Sequence, residues 1–467
     1  MDQPKLDQVR VTAQPIAWRQ ALADIPSMTK LAAPLAATQM GQLAINTTDV
    51  LMLGWLGPDA LAASAITMAL FVPFMLLGIG TTTITAALVA EAIGKRDLRT
   101  VRRAVRQGLW ASVIITVPST IVLWRTEDIL LFFGQAPELA ALGGDYMAGL
   151  VWSLLPAIAF VVFRGYVSAY ERTAAVLLIT GAAIIVNAIV NYGLIFGAFG
   201  LPAWGMFGAG IGSTITSTLS VLATIIYCMT AKPFRRHVIL GRFWRADWPM
   251  LRRIFYLGLP IGFSIVLETS VFGASSLLMG RIGTLELAAH QIALQLASIT
   301  FMAPLGIAQA ATVRVGQAYG RRNWLGAHVS GFSAIFLATL FMCCSATLFV
   351  TLPTYLIWPF LDGGPDAATV MGLAVGFLLV AAAFQVVDGI QVAAMGALRG
   401  IQDTHGPMWL AAIGYWVIGF PTAIIFGFYT DLAGIGIWLG LAAGLLFASV
   451  ALAWRFAAMT NRGMAAA

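Results

Sequence analysis

The sequence predicts an all-α membrane protein with twelve transmembrane helices, arranged as two parallel lobes of six helices each. Three observations support this prediction: an apolar composition, an internal repeat and a one-sided distribution of positive charge. Hydrophobic residues make up 60% of the 467 residues and charged residues 10%, and the mean hydropathy is +0.87. A soluble chain of this length could not bury so much apolar surface, so most of that surface must face lipid.

Twelve apolar runs are long enough to cross a bilayer as helices. Spanning strands would need only about ten residues with strict alternation, and these runs do not alternate. The predicted spans cover 31–54, 61–90, 107–125, 147–168, 174–197, 205–229, 254–279, 286–315, 326–350, 371–396, 407–428 and 432–457.

The chain also repeats itself at a constant offset of 226 residues. The repeat pairs Pro34 with Pro260, Gly54 with Gly280, Gly80 with Gly306, and Arg96 with Arg322. A repeat of this length indicates two similar lobes, and six spans in each lobe give both lobes the same orientation in the membrane. The predicted organisation is a tail at 1–30, an N-lobe at 31–229, a linker at 230–253, a C-lobe at 254–457 and a tail at 458–467.

Positive charge is concentrated on one side of the predicted spans. Of the 27 lysines and arginines, only Arg125 and Arg281 fall on the side opposite the N-terminus. Because cytoplasmic loops are enriched in Lys and Arg, both termini and the linker are predicted to be cytoplasmic, in a bacterial-type cytoplasmic (inner) membrane. The net charge of +7 is spread over alternate loops, which argues against a nucleic-acid partner.

Three carboxylates lie inside predicted spans: Asp49, Glu268 and Asp388. An acid at bilayer depth costs a few kcal/mol on insertion scales, so each is a functional candidate by default. The alternative is an acid at a helix end, wetted by interfacial water. The repeat pairs Asp49 with Ser275, so the acids are not repeat-related, and each lobe is expected to carry its own ion chemistry.

Two asparagines accompany Asp49. Asn187 and Asn191 are four residues apart, so they share one face of the fifth span. At about 1.5 Å per residue, Asn191 and Asp49 lie at nearly the same depth. These groups could supply oxygen ligands for a small hard cation, or hold a carboxyl that gains and loses a proton. Interhelical hydrogen bonding is the alternative.

Each of the other polar or helix-kinking residues within spans has two possible interpretations. Gln291 and Gln295 share one helix face and could line a cavity or join helices. Pro34 is either a static kink or a hinge on the helix of Asp49. No His or Cys spacing fits a metal site, and no GxxxxGK[ST] motif indicates an ATP motor. We therefore expect no cofactor, no ATPase subunit, and no metal except a transported ion.

The sequence resembles the multidrug and toxic compound extrusion (MATE) family, in its NorM-type branch, over about 30–457. Seven segments, in the family's order and spacing in both lobes, carry the resemblance. They are TTDVLMLGWLG (47–57), AEAIGKRDLRTVRR (90–103), NAIVNYGLIFG (187–197), LGLPIGFSIVLETSVF (257–272), LAAHQIALQL (287–296), RVGQAYGRRN (314–323) and VVDGIQVAAMGALRGIQDT (386–404).

This resemblance implies a V-shaped, monomeric transporter that exports organic cations and other xenobiotics in exchange for Na⁺ or H⁺, and so contributes to antibiotic resistance. It implies a C-lobe cation or drug site at Glu268 and Asp388. The implied N-lobe cation or proton site contains Asp49, Asn187, Asn191 and a hydroxyl of the sixth helix, where Ser213 and Thr214 are both candidates.

Three other classes of protein remain alternatives. A major-facilitator antiporter would carry a GxxxDRxGRR-type loop after its second span, and 90–103 does not fit that pattern. A lipid-linked oligosaccharide flippase of the same superfamily would carry cavity arginines, whereas the candidate cavity charges are acidic. A channel or a structural membrane protein would not explain asymmetric acids in a two-lobe repeat.

Overall fold

The structure is a computed structural model. It describes residues 7–237, 239, 241, 243–361 and 364–466, and for 7–19 and 236 it describes the backbone alone. The described chain is helical and contains no strand, as the composition predicts.

The N-terminal repeat contains eight helices. They are α1 (Asp7–Leu56), α2 (Pro58–Gly94), α3 (Leu98–Leu123), α4 (Thr126–Phe132), α5 (Pro137–Leu150), α6 (Leu154–Ala169), α7 (Thr173–Phe196) and α8 (Gly205–Thr230). A single 3₁₀ turn, Val151–Ser153, joins α5 to α6, and together they make one span, Pro137–Ala169.

The C-terminal repeat contains the other eight helices. They are α9 (Trp248–Ile282), α10 (Thr284–Gly320), α11 (Trp324–Thr351), α12 (Pro353–Ile357), α13 (Ala367–Gly400), α14 (His405–Ala412), α15 (Phe420–Phe428) and α16 (Ala433–Ala466). A π-helical segment, Ile413–Gly419, links α14 to α15 within the span His405–Phe428.

Within the described part of the chain, eleven helical segments are long and apolar enough to cross a membrane. Helix α1 is a further helix of 50 residues, and it is less apolar because Gln39, Gln42, Asn46 and Asp49 lie along it. With α1 added, the helices agree with the twelve predicted spans.

The internal repeat is present in the backbone geometry. Helices α2 and α10 each contain 37 residues, and both end at a turn in which an arginine adopts a left-handed conformation. Arg96 has φ 60° and Arg322 has φ 58°. The next residue caps the following helix in both repeats: Asp97 accepts backbone hydrogen bonds at the start of α3, and Asn323 does so at the start of α11.

The helices form two compact units whose boundaries differ from the predicted lobes. One unit contains Met1–Ala36 and Leu267–Ala467, and the other contains Ala37–Val266. Helices α1 and α9 are therefore each divided between the two units. The sequence boundaries 31–229 and 254–457 describe the repeat, whereas the units exchange the first part of each repeat's first helix.

Small residues explain this exchange. A Cβ on Gly80 would lie 2.5 Å from the Cα of Gly262, so α2 and the first part of α9 meet backbone to backbone in the unit 37–266. A Cβ on Gly306 would lie 2.4 Å from the backbone nitrogen of Ala36, so α10 and the first part of α1 meet in the other unit. The offset of 226 relates Gly80 to Gly306 and Ala36 to Gly262, so both repeats use the same contact.

An ion pair fastens each exchanged segment. Arg253 of α9 donates to Glu91 of α2 at 3.1 Å, and Glu91 also accepts from Lys95 at 2.5 Å. Arg314 of α10 pairs with Asp24 of α1. Among the described side chains of the predicted tail at 1–30, Met28 is fully buried beside Ile307, so this part of the tail packs into the helical unit. The predicted tail at 458–467 likewise continues α16 as far as Ala466.

The described part of the linker packs on α3. Arg106 donates to the carbonyl of Ile239 at 2.6 Å, and the indole of Trp110 donates to the carbonyl of Phe243 at 2.9 Å. Arg103 forms an ion pair with Asp247, which holds the pKa of that carboxyl below its usual range. These bonds place the linker in the unit Ala37–Val266.

Candidate functional site

In the unit Ala37–Val266, two helices, α7 and α8, direct polar side chains at Asp49 of α1. Asn187 and Asn191 of α7 donate amide hydrogen bonds to Asp49 Oδ1, at 2.9 and 2.5 Å. Ser213 of α8 donates to Asp49 Oδ2 at 3.1 Å. The structure thus brings together the acid and the two asparagines that spacing and depth had paired.

This cluster keeps unsatisfied acceptors. Asn187 and Asn191 are fully buried, Asp49 is 7% exposed, and the amide oxygens of both asparagines have no hydrogen-bond partner among the described residues. A buried acceptor without a donor costs about 1–3 kcal/mol. Two such oxygens beside a carboxylate form a set of hard ligands that suits a small cation or a proton.

Gly212 makes room for this arrangement. A Cβ at this position would lie 1.7 Å from Asn191 Oδ1, so α8 must present a bare backbone there for Asn191 to reach Asp49. Gly212 was not predicted from the sequence, although the small residues of GAGIG (208–212) at the start of the sixth span indicate a close approach between helices.

Thr214 does not join the cluster. Its hydroxyl donates to the carbonyl of Gly149 at 2.8 Å, whereas the hydroxyl of Ser213 reaches Asp49. Successive residues on a helix point about 100° apart, so only one of the two can face the acid. Of the two candidate hydroxyls, the structure therefore selects Ser213.

In the unit formed by Met1–Ala36 and Leu267–Ala467, Glu268 of α9 and Asp388 of α13 lie close enough to repel each other. Glu268 is half-buried, and its carboxylate accepts a hydrogen bond from the Tyr415 hydroxyl. Gln391 donates to the same hydroxyl at 2.7 Å. Tyr415 sits in the π-helical segment, where the wider turn alters the direction of side chains.

Asp388 is buried and incompletely paired. It is 7% exposed, and its Oδ1 has no hydrogen-bond partner among the described residues. One turn away, Gln385 accepts hydrogen bonds from Thr300 at 3.0 Å and from Ser345 at 3.1 Å. The amide nitrogen of Gln385 also lacks a partner within the described chain. This part of α13 therefore places a carboxylate oxygen of Asp388 and the amide nitrogen of Gln385 within one helical turn of each other, both without a hydrogen-bond partner among the described residues.

Arg399 adds a positive charge that sequence reasoning had assigned to a cytoplasmic loop. Its side chain is 8% exposed inside the helical unit and interacts electrostatically with Glu268. Its Nη2 contacts the sulfur of Met395 at 3.0 Å, and its Nε has no partner in the described part of the chain. Neither Tyr415 nor Arg399 was predicted, because a tyrosine within a span counts as apolar and Arg399 follows the predicted end of its span at 396.

The remaining candidates are two glutamines of α10 and a proline of α1. The side chain of Gln291 is exposed and donates to Ser276 at 3.2 Å, and that of Gln295 is exposed too. Pro34 lies inside α1, two residues before the unit boundary at Ala36. Cavity lining by the glutamines and hinging at Pro34 stay predictions. The described residues contain no cluster of three His, Cys, Asp or Glu side chains able to hold a metal ion.

Comparison with known proteins identifies relatives over nearly the whole chain. The MatE family model matches residues 34–193 and 260–425. A probable multidrug resistance protein NorM of Mesorhizobium japonicum is 43% identical over 442 residues, which is 94% of each chain. A protein of the same name from Rhodopseudomonas palustris is 44% identical over 456 residues, covering 97% of this chain and 95% of that one.

Solved structures share the fold. A crystal structure of MATE in the bent conformation matches with a TM-score of 0.84 at 19% identity, covering 96% of this chain and 98% of that one. The crystal structure of the eukaryotic MATE transporter AtDTX14 matches with a TM-score of 0.83 at 19% identity, covering 95% and 99% of the two chains. These likenesses show that the chain shares the fold of the solved MATE structures.

Proposed function

The chain belongs to the MatE family and is a multi-pass membrane protein, and from this premise we propose that it is a multidrug efflux transporter that exports small organic cations in exchange for Na⁺ or H⁺. The exporter acts as a monomer in a bacterial inner membrane, with both termini in the cytoplasm. It needs no cofactor and no ATPase subunit, because the coupling ion supplies the energy.

The observation that carries the proposal is the pair of carboxylates formed by Glu268 and Asp388. Two like charges held close together in a helical unit are costly unless a cation or a proton neutralises one of them. The open oxygen of Asp388 is available to such a ligand. A cationic drug, Na⁺ and H⁺ can each meet this need, and each excludes the others.

Mutual exclusion is sufficient for exchange. If one ligand must leave before another binds, inward movement of Na⁺ or H⁺ down its gradient drives the drug outward. Alternating access then requires only that each ligand bind better in one conformation than in the other. Phe272 and Phe384 lie close to the acids and offer apolar surface for flat cations. Their ring centroids are 6.0 Å apart, and the rings are in edge-to-face contact.

The Asp49 cluster is proposed as a second coupling site. Its carboxylate and two open amide oxygens can hold an ion without contributing to the drug site. The two sites have different ligand chemistry, because one is an acid with amides and the other a pair of acids. This difference agrees with the absence of a repeat partner for each acid.

The test is ethidium efflux from everted membrane vesicles, driven in separate assays by a Na⁺ gradient and by a pH gradient. We expect Glu268→Gln and Asp388→Asn each to lower the initial rate by about ten-fold or more, since each removes a charge that the cation neutralises. The matched control is Glu138→Gln, an exposed acid in the first turn of α5, which should transport normally.

Near-normal efflux by both variants, at normal abundance in the membrane, would contradict a coupling role for these acids. The Asp49 cluster would then be the remaining candidate. The two driving gradients also identify the coupling ion, because only the gradient of that ion should energise wild-type efflux.

A further inference from the structure

One face of α13 carries a continuous buried column of polar and polarisable side chains. Asp388, Gln391, Met395 and Arg399 follow one another at helical spacing, and all are at most 8% exposed. Side chains on a helix lean toward its N-terminus. Arg399, in the last turn of α13, therefore extends back along Met395 toward Gln391 and the acid pair.

Arg399 is poorly satisfied where it lies. The described residues offer its Nη2 only a thioether sulfur and its Nε no acceptor, and no carboxylate lies within the 4 Å of an ion pair. A guanidinium presents five donors, and a buried one normally meets carboxylates or carbonyls. The C-terminal end of α13 favours a positive charge, but the helix end leaves Nε without an acceptor. Arg399 is therefore a buried cation that has unused hydrogen-bond donors.

The charges near Arg399 indicate its electrostatic role. Glu268 and Asp388 repel each other, and Glu268 attracts Arg399. Ionised, the two acids and the guanidinium together carry one net negative charge. Without Arg399 the pair would carry two, and an empty binding site of that charge inside a membrane protein would be strongly unfavourable.

We propose that Arg399 is a tethered counter-cation of the Glu268–Asp388 pair. Its guanidinium offsets one carboxylate when the exchanged cation has left, so that the pair binds one monovalent cation at a time and releases it readily. This inference rests on the proposed function, because it assumes that the two acids bind the transported cation. It adds a residue that sets the charge and the affinity of that site.

The test measures binding of tetraphenylphosphonium to the purified full-length protein, together with ethidium efflux. Arg399→Gln leaves a site with two net negative charges, so we expect a dissociation constant at least about ten-fold lower than the wild-type value. Coupled efflux should nevertheless fall by about ten-fold or more, because a tightly held cation leaves slowly. Arg399→Lys keeps the charge and should stay within about three-fold of wild type in affinity.

The double variant Glu268→Gln/Arg399→Gln provides a readout that a packing role would not move. It restores one net negative charge, so its affinity for tetraphenylphosphonium should return to within about three-fold of the wild-type value. If Arg399→Gln is too unstable to purify, recovery of a folded, near-normal binder in the double variant supports the counter-charge. Failure of both variants to fold overturns the inference.

Unchanged or weaker binding by a folded Arg399→Gln also overturns it. Failure of the proposed function gives a different result: Glu268→Gln alone would then leave both tetraphenylphosphonium binding and ethidium efflux unaltered. If Glu268→Gln abolishes both while Arg399→Gln behaves as wild type, the counter-cation inference fails and the proposed function stands.

Discussion

Asp49 depends on neighbours that come from two other helices, α7 and α8. Its two asparagines were predictable, because i, i+4 spacing and depth can be read directly from the sequence. Ser213 was one of two candidates, and only the rotation of α8 decides between them. Gly212 was not predicted, since its importance lies in an atom that it lacks.

Gly212→Ala should therefore disable the Asp49 cluster. The added Cβ would occupy the position of Asn191 Oδ1, so Asn191 must leave Asp49 or α8 must shift, at a cost on the order of 1–3 kcal/mol. We expect efflux to fall to the level of Asp49→Asn. The matched control is Gly181→Ala in α7, where an added Cβ meets nothing within 4 Å. Normal efflux by Gly212→Ala would show that the contact between Asn191 and Asp49 is dispensable.

Buried charges outside mid-span were the least predictable residues. Glu91 and Arg399 stand close to helix ends, where sequence alone suggests solvated loop charges. Both are buried because a neighbouring helix packs over that helix end. For Glu91, the packing involves Arg253, which lies more than a hundred residues away in the sequence. Local patterns do not encode such contacts.

Among the elements, the turn after the second helix of each repeat contains Arg96 and Arg322, which the sequence repeat had paired. The segment GKRD (94–97) matches GRRN (320–323), and both contain a left-handed arginine followed by a side chain that caps the next helix. Span positions were predictable from hydropathy. The extension of α1 back to Asp7 and the π-helical segment were not, because neither depends on apolar length.

The linker contains a titratable contact with a predicted pH dependence. His237 is buried against Tyr166, whose hydroxyl lies 2.6 Å from the imidazole Nδ1, and burial together with the charge of Arg102 lowers the pKa of His237. The folded state thus prefers neutral imidazole. Its stabilising contribution is complete above the unfolded pKa of about 6.5 and is lost as the pH falls from there toward the lowered folded value.

We expect the thermal midpoint of the wild-type protein to drop more between pH 7.5 and pH 5.5 than that of His237→Gln, as followed by intrinsic fluorescence. Tyr166→Phe is the control, because it removes the hydrogen bond but keeps the imidazole, so its pH dependence should resemble that of wild type. Identical pH profiles for wild type and His237→Gln would argue against protonation of this histidine as a source of instability.

At the scale of the whole molecule, the charge distribution predicts the orientation in the membrane. Loops near Glu138 and Asp366 should face outward, since Lys and Arg concentrate on the opposite side. In a background with Cys228, Cys343 and Cys344 replaced by serine, Glu138→Cys and Asp366→Cys should react in intact cells with a membrane-impermeant maleimide. A cysteine at Lys232 is the control and should react only after permeabilisation. Protection of either external position would reverse or revise the topology.

The division of the chain into units predicts that its two repeats cannot be stable apart. A chain cut between 240 and 241 gives halves that each lack a helical segment that completes their unit, α9 in one case and α1 in the other. Each half expressed alone should be degraded or aggregated, whereas co-expression should restore a complex with measurable efflux. A single half that is stable and monodisperse in detergent would contradict this expectation.

The twelve helices and the repeat were predictable from sequence because composition and periodicity encode both. The exchange of helix segments was not, although its determinants were visible. Gly80 and Gly306 had already been paired by the repeat, but which backbone each glycine approaches is a tertiary fact. The same limit applies to the partners of Arg399.

The burial of the first part of α1 also implies the order in which the two units assemble during synthesis. Synthesis delivers Met28 and Leu31 early, yet the unit that buries them ends at Ala467. At about 5–20 residues per second, the ribosome needs roughly 20–90 s to supply the rest of that unit. The unit Ala37–Val266 can close first, so its assembly precedes completion of the segment that begins the chain. During that interval, the first part of α1 lacks the partners that bury Met28 and Leu31, which makes it the segment most exposed to quality-control proteases during biogenesis.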